Sequence, residues 1–112
     1  MSSSRIIDDG DITDVLSLLV NTDESHARAK AKVKYLDHKV KVVKAQQFLA
    51  HTEGTQQTKE SKAISSAEYR VICKEYEEAV YESEILSAKR KHAELKIEIW
   101  RTEQANRRAG QV

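Results

Sequence analysis

The chain has 112 residues, of which 39% are hydrophobic, 33% charged and 5% aromatic, and its formal net charge is +1. A chain of this size and composition forms at most one domain with a thin core, which excludes a large globular fold. Its single cysteine, Cys73, excludes an intrachain disulfide framework and is typical of a reducing compartment. No apolar run approaches the roughly 20 residues of a membrane span, so we expect a cytoplasmic protein without membrane association.

The first predicted element is a long helix over residues 11–51. From Ile12 onward, seam positions recur at alternating spacings of three and four residues, which is typical of a coiled coil. Polar Thr22 and His26 interrupt this seam beside a run of capping residues at 21–25, where the helix either breaks or continues. The first seam consists of Ile12, Val15, Leu19, Thr22, His26, Ala29, Val33, Leu36, Val40, Val43, Gln47 and Ala50.

A polar segment follows and separates the first helix from a second one. Residues 52–64 contain Gly54 and are predicted to form the loop at which the chain turns. Ser65 and Glu68 have the spacing of a capping box, in which each side chain accepts a hydrogen bond from the backbone N–H of the other residue. They predict the start of a second helix over 66–108. Its seam consists of Tyr69, Ile72, Tyr76, Ala79, Ser83, Leu86, Arg90, Ala93, Ile97, Trp100 and Gln104.

The charge pattern favours antiparallel pairing of the two helices. Net charge alternates along the chain, at −5 over 1–24, +6 over 25–66, −4 over 67–85 and +4 over 86–112. Folding back at the polar loop places each block beside one of opposite sign. The sequence therefore predicts an all-α fold, a long antiparallel helical hairpin with coiled-coil seams, as a single domain over 11–108.

We also expect this hairpin to form a homo-oligomer, because two helices offer few layers in which to bury apolar surface. Outside the domain, residues 1–10 are predicted to be a flexible N-terminus and 109–112 a tail. The core and oligomer contacts are expected from residues in the two seams: Val33, Leu36, Val40, Val43, Ile72, Leu86, Ile97 and Trp100.

The sequence does not predict catalysis. It lacks a carboxylate pair, a Cys-His-Asp set and a glycine-rich phosphate loop, so we expect no enzyme. The four histidines lack metal-ligand spacing, and we expect neither a metal site nor a cofactor. The acidic cluster over 75–84 is either a solvated face or the surface of an inhibitor that occupies the DNA site of a nuclease.

The basic stretch over 28–44 suits contacts with nucleic-acid phosphates, because such contacts need many cations. It is equally consistent with neutralisation by the acidic part of the second helix, and both interpretations stay open. Aromatic side chains are able to stack on unpaired bases, although Trp100 is better explained as core. The aromatic candidates are Tyr35, Phe48, Tyr69, Tyr76, Tyr81 and Trp100.

Several short segments together resemble the small UvsY-type recombination mediators of tailed phages. The most distinctive are Lys44-Ala45 before the polar loop, Lys59-Glu60-Ser61-Lys62-Ala63 after it, and Trp100-Arg101 near the end. Weaker matches extend the resemblance over most of residues 11–108, but the segment 22–34 departs from the family pattern. The weaker matches are Ala27, Tyr35-Leu36, Glu68-Tyr69, Ala79, Leu86 and Ile97-Glu98-Ile99.

The resemblance implies a ring-like oligomer in the host cell cytoplasm that binds single-stranded DNA. It also implies that the protein helps to load a phage recombinase onto DNA coated with single-strand-binding protein, without hydrolysis of its own. By position, it implies a DNA surface at Lys44, Lys59, Lys62 and Arg101. Lys41, Arg107 and Arg108 are further basic candidates. The alternative from the same helical pattern is a structural coiled-coil scaffold or adaptor that binds no nucleic acid.

Overall fold

The structure, a computed structural model, describes residues 7–110 as three α-helices. These are α1 (Asp9–Ala50), α2 (Gln56–Ser65) and α3 (Ala67–Gly110). The described range contains no strand, and the predicted all-α class is confirmed. Within that range, no helix combines the length and the apolar character needed to cross a membrane.

The first helix begins earlier than predicted because an unpredicted capping box holds its start. The backbone N–H of Asp11 donates to Oδ1 of Asp8 at 2.8 Å, and that of Asp8 donates to Oδ2 of Asp11 at 3.2 Å. Ile7, one residue earlier, is only 5% exposed. The prediction of a flexible segment is therefore wrong for residues 7–10, while residues 1–6 lie outside the described part of the chain.

The possible break at 21–25 does not occur, since α1 is continuous through this segment. The hydroxyl of Thr22 donates to the carbonyl of Leu18 at 2.7 Å, and that of Ser25 donates to the carbonyl of Thr22 at 3.1 Å. These side chains bond back to preceding carbonyls within the helix instead of capping a new one.

The predicted loop over 52–64 is largely replaced by α2. Gly54 has a φ of 102°, a left-handed conformation that glycine adopts without steric cost, and the chain turns there. Thr55 then caps the helix, its hydroxyl accepting a hydrogen bond from the backbone N–H of Thr58 at 3.2 Å. Ala63 is fully buried, at 0% exposure, and this small side chain lets the polar helix pack closely. The loop prediction failed because α2 has no apolar stripe from which periodicity could be read.

The cap of α3 is one residue later than predicted. The hydroxyl of Ser66 accepts a hydrogen bond from the backbone N–H of Tyr69 at 3.2 Å, whereas the hydroxyl of Ser65 donates back to the carbonyl of Ser61 at 2.7 Å. The predicted capping box with Glu68 is therefore wrong. At its other end α3 continues through residues 109–110, which were predicted as tail; 111–112 lie outside the described residues.

The described chain divides into two compact units, and each has its own apolar cluster. The first unit comprises the residues up to His26 and those from Ile85 onward, and the second unit comprises Ala27–Glu84. The cluster of the first unit is formed by buried Ile7, Ile12, Val15 and Ala93, against which Leu18, Leu19, Ile97 and Trp100 pack. The cluster of the second unit is formed by buried Leu36, Ile72 and Ala79, against which Val33, Val40, Val43 and Tyr76 pack.

In the first unit, the polar residues of the α1 seam meet polar residues of α3. Arg90 donates from Nη1 to the carbonyl of Leu19 and to the hydroxyl of Thr22, both at 2.8 Å. Its Nη2 donates to Oδ1 of Asp23 at 2.7 Å. His26 Nε2 lies 3.1 Å from the hydroxyl of Ser87. Thr22 and His26, the polar residues that interrupt the first seam, therefore belong to a hydrogen-bonded layer in the first unit.

The order of contacts in the first unit is antiparallel. The indole Nε1 of Trp100 donates to Oδ1 of Asp9 at 3.0 Å. Further along α1, Asp23 meets Arg90, and His26 meets Ser87. As residue numbers rise along α1, those of the contacting residues on α3 fall.

Candidate nucleic-acid interface

The lysines of α1 in the second unit lie on two flanks of the buried stripe. With 3.6 residues per turn, residues four and seven apart share a face, which separates these lysines into two sets. We call the set that includes Lys41 and Lys44, the two lysines with carboxylate partners, the paired flank, and the set around Tyr35 the tyrosine flank. The paired flank consists of Lys30, Lys34, Lys41 and Lys44. The tyrosine flank consists of Lys32, Tyr35 and Lys39.

On the paired flank, two sequence-predicted candidates have carboxylate partners. Lys41 Nζ lies 3.7 Å from Oδ2 of Asp37, and both side chains are largely exposed. Lys44 Nζ lies 3.3 Å from Oε1 of Glu60 on α2, with 39% of the lysine side chain exposed. An exposed ion pair contributes only about 0–1 kcal/mol, so either lysine can exchange its partner for a phosphate. These pairs nevertheless lower the positive potential near the turn.

The two candidate lysines of α2 differ in exposure. Lys59 is half-buried and precedes buried Ala63 by one helical turn, which places it at the packed side of α2. Lys62 is exposed. The structure therefore brings Lys44 and α2 together through Glu60. The three lysines near the turn, Lys44, Lys59 and Lys62, are not equally accessible to a DNA strand.

The remaining three candidates belong to the first unit. Arg101 and Arg108 are exposed and Arg107 is half-buried, all near the C-terminal end of α3. Basic residues in the last turn also stabilise a helix, because they complement the partial negative charge of its free carbonyls. A structural explanation therefore accounts for Arg107 and Arg108 without DNA.

The acidic cluster of α3 does not pair with the lysines of α1. Its five glutamates are all exposed, and among residues 7–110 none of them forms an ion pair with a lysine of α1. The five are Glu75, Glu77, Glu78, Glu82 and Glu84. Glu68 and Glu75 line the same surface depression as Lys39, without forming an ion pair with it.

The tyrosine flank, whose three residues were not predicted as a joint site, carries an exposed aromatic ring. Tyr35 is 59% exposed, and the ammonium of Lys39 lies 5.7 Å from the centroid of its ring, a cation–π distance. Lys32 is exposed and precedes Tyr35 by three residues. The spacing of Lys32, Tyr35 and Lys39, at three and four residues, is visible in the sequence and was the available signal.

Most other aromatic candidates are engaged in packing. Phe48, Tyr69, Tyr76 and Trp100 are half-buried. The pKa of Tyr69 is raised above its ordinary value, first by a hydrogen bond with the Cys73 side chain and then by desolvation, so the phenol stays neutral at physiological pH. Among the described tyrosines, Tyr35 and Tyr81 are exposed.

No group of three or more His, Cys, Asp or Glu side chains in the described range is arranged to hold a metal ion.

The chain matches no protein-family model, no curated protein and no solved structure. The charged surfaces and exposed aromatic residues are therefore the features from which a function is inferred.

Proposed function

We propose that the protein binds single-stranded DNA and acts as a recombination mediator, helping a recombinase to load onto DNA coated with single-strand-binding protein. The observation that carries this proposal is a set of exposed lysines on both flanks of α1 that have no carboxylate partners. Lys30, Lys32 and Lys34 are exposed and form no ion pair within the described residues. Exposed cations of this kind suit phosphate contacts, which supply nearly all of the affinity in sequence-independent binding. The mediator role rests on the resemblance to UvsY-type proteins.

We infer further that α1 and α3 form a helical hairpin with coiled-coil seams, and that the hairpin self-associates. The antiparallel contact order in the first unit supports the hairpin. Large apolar side chains that stay exposed in each unit support self-association, because an isolated chain leaves them in water. Examples are Val20 at 70% and Leu16 at 48% in the first unit and Val71 at 59% in the second. An oligomer would repeat the basic surface and strengthen binding through multivalency.

The second candidate function is a structural scaffold or adaptor. The same exposed apolar residues favour it, since they suit protein contacts and carry no preference for nucleic acid. The two functions share a fold and differ in whether the protein binds DNA.

A comparison of two triple variants tests the proposal. Lys30, Lys32 and Lys34 are replaced by alanine in one, and the exposed Lys89, Lys91 and Lys96 of α3 in the other, so both lose the same charge. We expect the α1 variant to bind a fluorescent single-stranded oligonucleotide more weakly. Its slope of log affinity against log salt should fall by up to about 2 per engaged subunit, from about 0.7 for each phosphate contact. The α3 variant should stay closer to the parent.

Sedimentation of both variants must give the parent's oligomer mass for the comparison to hold. Equal losses in the two variants would attribute binding to net charge, and unaltered binding by the α1 variant would contradict a DNA surface on that helix. Replacing Lys44, Lys59 and Lys62 together tests the turn-proximal surface. We expect a smaller loss there, because Glu60 already faces Lys44 and Lys59 is half-buried.

A further inference from the structure

We propose that Tyr35 is a base-stacking residue and that Lys32 and Lys39 hold the phosphates beside the stacked base. This inference rests on the proposed binding of single-stranded DNA and gives it a chemical selectivity. Stacking requires an unpaired base, so the tyrosine flank would favour single strands over duplex DNA.

The geometry around Tyr35 suits this role. The residue is 59% exposed, so a large part of its surface is open to solvent. The ammonium of Lys39 lies over the ring, 5.7 Å from its centroid. Lys32 lies seven residues before Lys39, about 10.5 Å along the helix axis at 1.5 Å per residue. The ring is thus flanked along α1 by one cation on each side.

Tyr81 shows why exposure of a tyrosine ring alone does not make it a candidate for base stacking. It is 67% exposed, more than Tyr35, but its helical neighbours three and four residues away include Glu77, Glu78 and Glu84. Phosphates approaching that ring meet like charge, which opposes binding. Tyr35 and Tyr81 therefore form a matched pair, the same side chain in basic and in acidic surroundings within the second unit.

Two carboxylates beside Lys39 lower the affinity that the tyrosine flank can have for DNA. Glu68 and Glu75 line a surface depression together with Lys39, although neither forms an ion pair with it. A single tyrosine flank should therefore bind weakly, and the stacking contribution should be clearest at low salt, where phosphate contacts still hold the strand.

A protein-by-ligand cycle tests the proposal. The full chain, as parent and as Tyr35→Ala, Tyr35→Phe and Tyr81→Ala, is titrated with oligothymidylate and with an abasic oligonucleotide of equal length. We expect Tyr35→Ala to weaken oligothymidylate binding roughly 5- to 150-fold, the range for loss of one base–aromatic stack, with an unaltered salt slope. Tyr35→Phe should resemble the parent because it keeps the aromatic ring. Tyr81→Ala should also resemble it.

The abasic strand separates stacking from charge. Tyr35→Ala should bind it as the parent does, since no base is present to stack. Equal weakening for both strands, or none for oligothymidylate, would overturn the stacking role while leaving the proposed function intact if the parent still binds. A fall in oligomer mass on Tyr35→Ala would assign the tyrosine flank to a second copy of the chain and also overturn it. A parent that binds neither strand at low salt would remove the proposed function together with this inference.

Discussion

Replacing Leu36 with aspartate is expected to abolish folding of the second unit and to dissolve any oligomer that depends on it. Leu36 is 4% exposed and lies in the apolar cluster with Ile72 and Ala79. Truncating a buried leucine alone costs about 2–5 kcal/mol. The new carboxylate adds the cost of burying a charge without a partner, or of protonating it. The sum is comparable with the whole stability of a small domain, about 5–15 kcal/mol.

Far-UV circular dichroism and thermal melting measure this effect, with sedimentation for the oligomer. Lys41→Glu is the control, because its side chain is 75% exposed and it changes charge in the same direction. That control should lose little helicity, although Asp37 and the new glutamate would repel each other. A Leu36→Asp protein as helical and as cooperative in melting as the parent would contradict the assigned packing of α1.

Arg90→Ala is expected to have the second-largest effect on stability. The arginine side chain is 16% exposed and donates to Leu19, Thr22 and Asp23. Its removal ends three charge-assisted hydrogen bonds and leaves the half-buried Thr22 without its donor. Hydrogen bonds to charged groups contribute about 1.5–3 kcal/mol. Asp23 is 65% exposed, so its ion pair adds little beyond that.

Thermal melting measures this loss of stability. A loss of about 1.5–3 kcal/mol corresponds to a fall in Tm of roughly 6–24 °C for a domain of this size. Lys91→Ala, at an exposed neighbouring position, should stay within about 0.5 kcal/mol of the parent. Arg90→Lys should lie between them, since an ammonium keeps the charge but lacks the fork that reaches several acceptors. Melting of Arg90→Ala at the parent temperature would show that the polar layer does not stabilise the first unit.

The long helices were predictable because hydrophobic periodicity reports directly which face is buried. Leu36, Ile72 and Ala93 were read from that period and are buried. The short helix α2 was missed because one buried alanine does not create a period. The caps at Asp8 and Ser66 were missed because several polar residues in a row can each serve as a cap, and backbone geometry selects between them.

The candidate site was less predictable than the helices. Spacing alone could have singled out Tyr35 with Lys32 and Lys39, since all three lie on one element. Which lysines already have carboxylate partners depends on tertiary contacts. Glu60 reaches Lys44 from a helix that was predicted as loop, so this ion pair could not be predicted from the sequence.

The salt dependence of binding to a single-stranded oligonucleotide is the decisive test of whether this protein binds single-stranded DNA. The affinity of the parent protein is measured at several salt concentrations in its oligomeric state. We predict tight binding at low salt and a linear fall of log affinity with log salt, with a slope of about −0.7 for each phosphate contact. Absence of binding at low salt by a folded, self-associated protein would contradict a DNA-binding function and favour a structural scaffold.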